Sequence, residues 1–174
     1  MDPTRPLVFA GARYANCRDA IHDYQIAQGA RHGGAFDHMS IAVLAKDARG
    51  DLQVERHGSW ARDLALRGAM LGAALLVVAP SVGIATVAAC GGLAGPGGIA
   101  AHLRHTIPKD TLEEISQLLE SGASSLVLVA IDRKGIEISP LLEQAEKAVV
   151  VETKTGDLDA AFYGALKSAK AKSA

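Results

Sequence analysis

His102 and His105 stand three residues apart in a stretch that reads as helix, so both rings fall on one face. Two imidazoles at that spacing make a candidate metal pair, and a third ligand would have to come from elsewhere in the chain or from a second copy. The alternative is a solvated basic helix end, favourable to the helix dipole. His22, His32, His38 and His57 have no ligand spacing and read as surface residues. Cys17 opens a helix, where the dipole lowers a thiol pKa, but no His or second Cys is close in sequence. It reads as a small packing residue, as does Cys90 among Ala and Gly. Asp132, Arg133 and Lys134 follow an apolar strand and read either as a site at its end or as a solvated turn. The glycines from Gly91 to Gly98 lack the Lys-Ser/Thr of a phosphate loop and the GxGxxG pattern, so they read as helix breakers. No paired acid, base and nucleophile emerges, and the expectation is a protein that is not an enzyme and carries no cofactor and no metal.

The element that dominates the chain is an uncharged run of 34 residues, Gly68–Ala101, rich in Ala, Gly, Val and Leu. It is long for one membrane span of about 20 residues and short for two. Pro80 should end a helix, and the Gly/Pro cluster from Gly91 to Gly98 should break another. The reading is a helix over Leu64–Ala79, a second over Ser81–Ala94 and a short third over Gly98–His105. Small residues recur four apart at Gly68 and Gly72, Ala85 and Ala89, Gly91 and Gly95. That spacing leaves a groove into which another helix backbone packs closely. Arg56, Arg62 and Arg67 precede the run, and Arg104 and Lys109 follow it. Basic flanks on both sides favour both ends staying on the cytoplasmic side.

Composition sets the frame. The chain has 174 residues and a net charge of −1, so there is no electrostatic footprint for nucleic acid. The two cysteines are far apart and imply no disulfide framework, which suits a reducing compartment. The first fifteen residues lack the charged and apolar regions of a signal peptide.

Around the run, an ordinary α/β pattern is expected. Strands are predicted over Leu7–Tyr14, His38–Lys46, Leu52–His57, Ser125–Ile131 and Lys147–Thr153. Ser125–Ile131 is apolar throughout and should be central in its sheet. Helices are predicted from an Asn16 cap to Gly29, from an Asp110/Glu113 capping box to Gly122, from Ser139-Pro140 to Glu146, and from Asp157 to about Leu166. Asp47–Gly50 reads as a hairpin turn. The order without the run begins βαββαβ, which is ferredoxin-like. The predicted fold is therefore α+β: a ferredoxin-like antiparallel sheet with helices on one face and an inserted apolar hairpin. Residues 1–62 and 106–174 would form one domain, and residues 63–105 the insertion.

The layout resembles a bacterial family of predicted membrane proteins of unknown function. The matching pieces are the Gly/Ala-rich run Gly68–Gly98, then Ile107-Pro108-Lys109-Asp110 before Leu112, then Gly122-Ala123-Ser124-Ser125-Leu126. The resemblance covers about Leu7 to Leu166 and brings no catalytic residues.

Three functions were open to this sequence. The first expectation is a non-enzymatic, membrane-associated or self-assembling protein, its hairpin 68–101 packing in or at the membrane or against itself. The second is a soluble homo-oligomer whose hairpins form a buried bundle, with or without a small ligand. The third is an enzyme or small-molecule binder. The expected partners are further copies of the chain and membrane lipid, with no nucleic acid. The expected place is the cytoplasmic face of the inner membrane, or the cytoplasm.

Overall fold

The computed structural model describes residues 6–58, 64–80, 82, 96–132 and 137–156. The elements are β1 (Pro6–Tyr14), α1 (Cys17–His32), β2 (Phe36–Lys46), β3 (Leu52–Gly58), α2 (Leu64–Val78), α3 (Pro96–Thr106), α4 (Lys109–Ser121), β4 (Ser124–Asp132) and β5 (Lys147–Lys154). A single turn of 3-10 helix, Ser139–Leu141, lies between β4 and β5. The expected helix over Ser81–Ala94, apart from Val82, and the expected helix from Asp157 lie outside the described residues.

The five strands form one antiparallel sheet in the order β3-β2-β4-β1-β5. β1 and β2 are each antiparallel to β4, so they run parallel to one another with β4 between them. That is a split βαβ path, closed by α1. β4 is central, as its unbroken apolar sequence requires.

Side chains along a strand alternate between the two faces, and so do the two cores. Leu7 and Phe9 of β1, with Val127, Val129 and Ile131 of β4, face a cluster built from α2, α3 and α4. Val8, Ala10 and Ala12, with Leu126, Leu128 and Ala130, face a second cluster that includes Ala20 and Ala27 of α1. The expectation of helices on one face is therefore corrected: α1 covers one side, and α2, α3 and α4 cover the other. The physical reason lies in β4. A strand apolar at every position from Leu126 to Ile131 has two faces to hide, and a one-sided helix layer would leave one wet.

Three boundaries also moved. Helix α1 passes through Gly29 and ends at Gly33, and the left-handed residue is Gly34, at φ 74°. Helix α4 begins at Lys109 after Pro108, with no side-chain cap, so the expected Asp110/Glu113 box is not made. Asp110 instead lies inside the first turn, where its charge still complements the dipole. The helix expected from Ser139 to Glu146 is only the one 3-10 turn. Its continuation is lost because the Gln144 amide donates to Asp23 rather than to its own chain four residues back. The Asn16 cap forms as expected, its side chain accepting from the Asp19 amide at 3.0 Å.

Gly11 lets α4 sit close on the sheet. A Cβ built there would lie 2.6 Å from Cγ2 of Ile115, a buried residue in the middle of α4. Gly11→Ala is expected to destabilise the fold by about 1–3 kcal/mol through overpacking, read as a lower urea midpoint, and in an Ile115→Ala background, which lacks the opposing Cγ2, the same substitution should cost less.

The β2–β3 turn is held by Asp47. Its Oδ1 accepts from the amides of Arg49 at 2.8 Å and Asp51 at 3.0 Å, and its Oδ2 accepts from the Gln53 side chain at 2.8 Å. Gly50 takes φ 87°, as such a turn requires. The Arg49 amide, followed by the Asp51 amide, holds this carboxyl below its usual range. A carboxyl with a depressed folded pKa stabilises above its unfolded value and loses that stabilisation as pH falls through the folded one. Asp47→Ala is therefore expected to weaken the protein near pH 7, and the gap to wild type should close as the pH drops below about 4. Chemical denaturation at a series of pH values reads this directly.

Candidate functional site

The uncharged run is the first candidate surface, and its described parts are packed inside the chain. Met70, Leu71, Ala73, Ala74, Leu75 and Val78 of α2 are buried, with Ile99, Ala100 and Leu103 of α3, in the cluster that includes Leu112, Ile115 and Leu119 of α4. α2 touches α3, α4, β2 and β4. Small side chains at Ala73, Ala74 and Ala100 allow this close helix contact, with dispersion over a short separation in place of bulky interdigitation.

The end of α2 is tied by polar bonds as well. Pro80 has no N–H, so it cannot donate to the carbonyl of Leu76, four residues back. Arg104 of α3 supplies the donor instead, its Nη2 at 3.1 Å from that oxygen. Ser116 of α4 donates to the carbonyl of Val78 at 2.7 Å. Two carbonyls near the C-terminus of α2 thus accept from two neighbouring helices of the same chain. Among the described residues, no helix is long and apolar enough to cross a membrane.

The proposed packing residues are only partly in view. Gly68 and Gly72 lie in α2, and Gly72 is buried. Ala85, Ala89, Gly91 and Gly95, like Cys90, lie outside the described residues.

The second candidate is a buried carboxylate that sequence reasoning did not single out. Asp23 is fully buried. Its Oδ2 accepts from the Tyr14 hydroxyl at 3.1 Å and from the Gln144 amide at 3.0 Å. Its Oδ1 lies 3.4 Å from Nδ1 of His22, whose ring is half exposed. Burial first, then the Asp23 charge and hydrogen bond, push the Tyr14 phenol far above its ordinary range, so it stays a neutral donor. The signal was present in the sequence: Ala20, Asp23 and Ala27 share one face of α1 at helical spacing. An acid on the apolar face of a helix needs partners, and Tyr14, Gln144 and His22 supply them. A His–Asp contact of this kind can orient an imidazole. Here the carboxylate also joins the end of β1, helix α1 and the segment before β5, which makes it a three-way clasp.

The histidine pair separates in role. His102 is half-buried, with Nε2 3.4 Å from the carbonyl of Lys154, while His105 is exposed at the end of α3. Among the described residues, no group of three or more His, Cys, Asp or Glu is brought together to hold a metal ion. Cys17 is free and half-buried against the α1-side core. The side chain of Asp132, and all of Arg133 and Lys134, lie outside the described residues.

A chain of basic and acidic groups crosses the other end of the sheet. Arg13 Nε lies 3.2 Å from Glu146, and Lys147 donates to Glu114 of α4 at 2.8 Å. The first of these half-exposed pairs ties β1 to the segment before β5 and the second ties β5 to α4, and each contributes little net stability.

Fold and geometry together define an α+β protein with a five-stranded antiparallel sheet covered by helices on both faces. No family model, no curated protein and no solved structure matches the chain.

Proposed function

We propose that this is a non-enzymatic protein that assembles with copies of itself, and that its uncharged run serves as packing core rather than as a lipid anchor. The observation that carries the packing-core reading is the engagement of α2: its apolar side chains are buried on its own sheet, and its carbonyls at Leu76 and Val78 accept from Arg104 and Ser116. Self-assembly is supported by the unbroken β5 edge, outside which no strand lies among the described residues. Moving α2 into lipid would strip both bonds and expose the sheet face beneath it. The tie-up of Asp23 by structural donors supports a non-catalytic role for the one acid that is buried among the described residues. On this reading, the likeness to predicted membrane proteins and the ferredoxin-like path are matters of layout: an α+β fold whose apolar insertion closes over its own sheet.

Fractionation of the full chain without detergent tests it, followed by native mass measurement. The expected result is a detergent-independent species at two or more times the 18.0 kDa chain mass. Recovery only with the membrane pellet, released only by detergent, would favour the membrane reading instead. A single-chain mass at every concentration would remove self-assembly.

A further inference from the structure

We infer that two copies of this chain join through β5, edge to edge, in an antiparallel pairing centred on Val150. The inference rests on the self-assembly proposed above and names the surface that carries it.

Among the described residues the sheet has two edges, β3 and β5. They differ in the way edges usually do when one is protected and one is used. The β3 edge is disturbed by a register shift against Val43 and Leu44 of β2, and a bulge of that kind twists an edge away from further pairing. β5 has no such break. It pairs with β1 over eight consecutive residues, Lys147–Lys154, in one register. Its centre is Val149-Val150-Val151, the residue type that best suits a pleated ladder. All three valines are only half-buried, and among the described residues no strand lies on the outer side of β5.

Antiparallel pairing of a strand with its own copy obeys a two-fold axis perpendicular to the sheet. Paired residues must then share a face, which restricts the possible registers to every second position. Three of these are centred on the valines, and charge separates them. Centred on Val149, the register sets Glu146 against Glu152 of the other copy, like against like. Centred on Val151, it sets Val150 against Glu152. Centred on Val150, it sets Val149 against Val151, Lys147 against Thr153, and Glu146 against Lys154, each twice by symmetry. Only this last register pairs opposite charges and leaves no valine facing a carboxylate.

The same register fits the layers. Val149 and Val151 pack against the core that α4 covers. Bringing them against their symmetry mates would extend that core across the junction as a continuous ladder. Glu146 keeps 47% of its side chain exposed beside Arg13, and Lys154 is exposed, so both ends of the new pair are accessible.

The test is charge exchange, read by sedimentation of the full chain over a range of concentrations. Wild type is expected to dimerise. Lys154→Glu and Glu146→Lys should each raise the dimer dissociation constant by about tenfold, since each turns two symmetric attractions into two repulsions. The double variant E146K/K154E should return most of that loss, and circular dichroism should show all four proteins folded alike. A dimer indifferent to both single reversals, or single effects that simply add in the double variant, would overturn the β5 junction while leaving self-assembly standing. A wild-type monomer at every concentration would overturn both.

Discussion

Asp23→Ala is expected to cost the fold about 2–4 kcal/mol, because it orphans the buried Tyr14 hydroxyl, at about 1–3 kcal/mol, and takes the acceptor from the part-buried Gln144 amide, at about 1 kcal/mol. The Tyr14 hydroxyl and the Gln144 amide both end on Oδ2 of this one carboxylate. Tyr14→Phe should cost less, since it removes a donor without stranding the acid, which keeps the Gln144 amide. The clasp also sets an alkaline limit. The buried phenol of Tyr14 is held neutral in the folded protein, whereas a free tyrosine ionises near pH 10. A group with a raised folded pKa contributes its full stability below the unfolded value and loses it as the pH climbs further. Wild type should therefore weaken above about pH 10 more steeply than Tyr14→Phe. Urea unfolding at pH 7 and above pH 10 gives both comparisons. An Asp23→Ala protein as stable as wild type at pH 7 would show that the clasp is idle.

The second large effect is expected at Leu75. This side chain is fully buried in the cluster shared by α2, α3, α4 and the sheet. Leu75→Ala should destabilise the whole protein by about 2–5 kcal/mol, the transfer loss plus the cavity left behind. Leu103→Ala, from α3 on the far side of the uncharged run, should fall in the same range. The result to look for is a shift of one global transition with unchanged denaturant slope. If α2 were instead a separate appendage, Leu75→Ala would leave the unfolding of the sheet unmoved.

These two residues show where sequence reasoning reached and where it stopped. The strands were legible because Leu7–Tyr14, Ser125–Ile131 and Lys147–Thr153 carry their own apolar signals, and each lies within an observed strand. The apolar face of α4 was legible for the same reason: Leu112, Ile115, Leu118 and Leu119 are all buried. The two-sided cover of the sheet was encoded in the unbroken apolar run of β4, but a local pattern says only that both faces are hidden, not by which helix. The role of Asp23 needed tertiary partners from residues 9 and 121 positions away in sequence, and no local spacing carries that. The end of α4's capping box shows the reverse case. Asp110 and Glu113 fit the pattern, yet the helix starts two residues earlier, with Pro108 in the capping position.

The uncharged run was the least decidable part of the sequence. Ala, Gly and Val pack equally well against lipid, another chain or their own sheet, so composition does not choose between them. On the reading proposed above the distinguishing feature, in the described residues, is polar: an arginine and a serine that donate to carbonyls at the end of α2.

Hydrogen exchange on the full chain, with and without anionic lipid vesicles, tests that choice most directly. Amides in one cooperative core open with the free energy of global unfolding, whereas a loosely held segment opens far more readily. The expected result is that Met70–Val78 exchanges as slowly as Ser125–Ile131 and does so equally in the absence of lipid. Fast exchange of Met70–Val78 in solution, slowed only when vesicles are added, would contradict it.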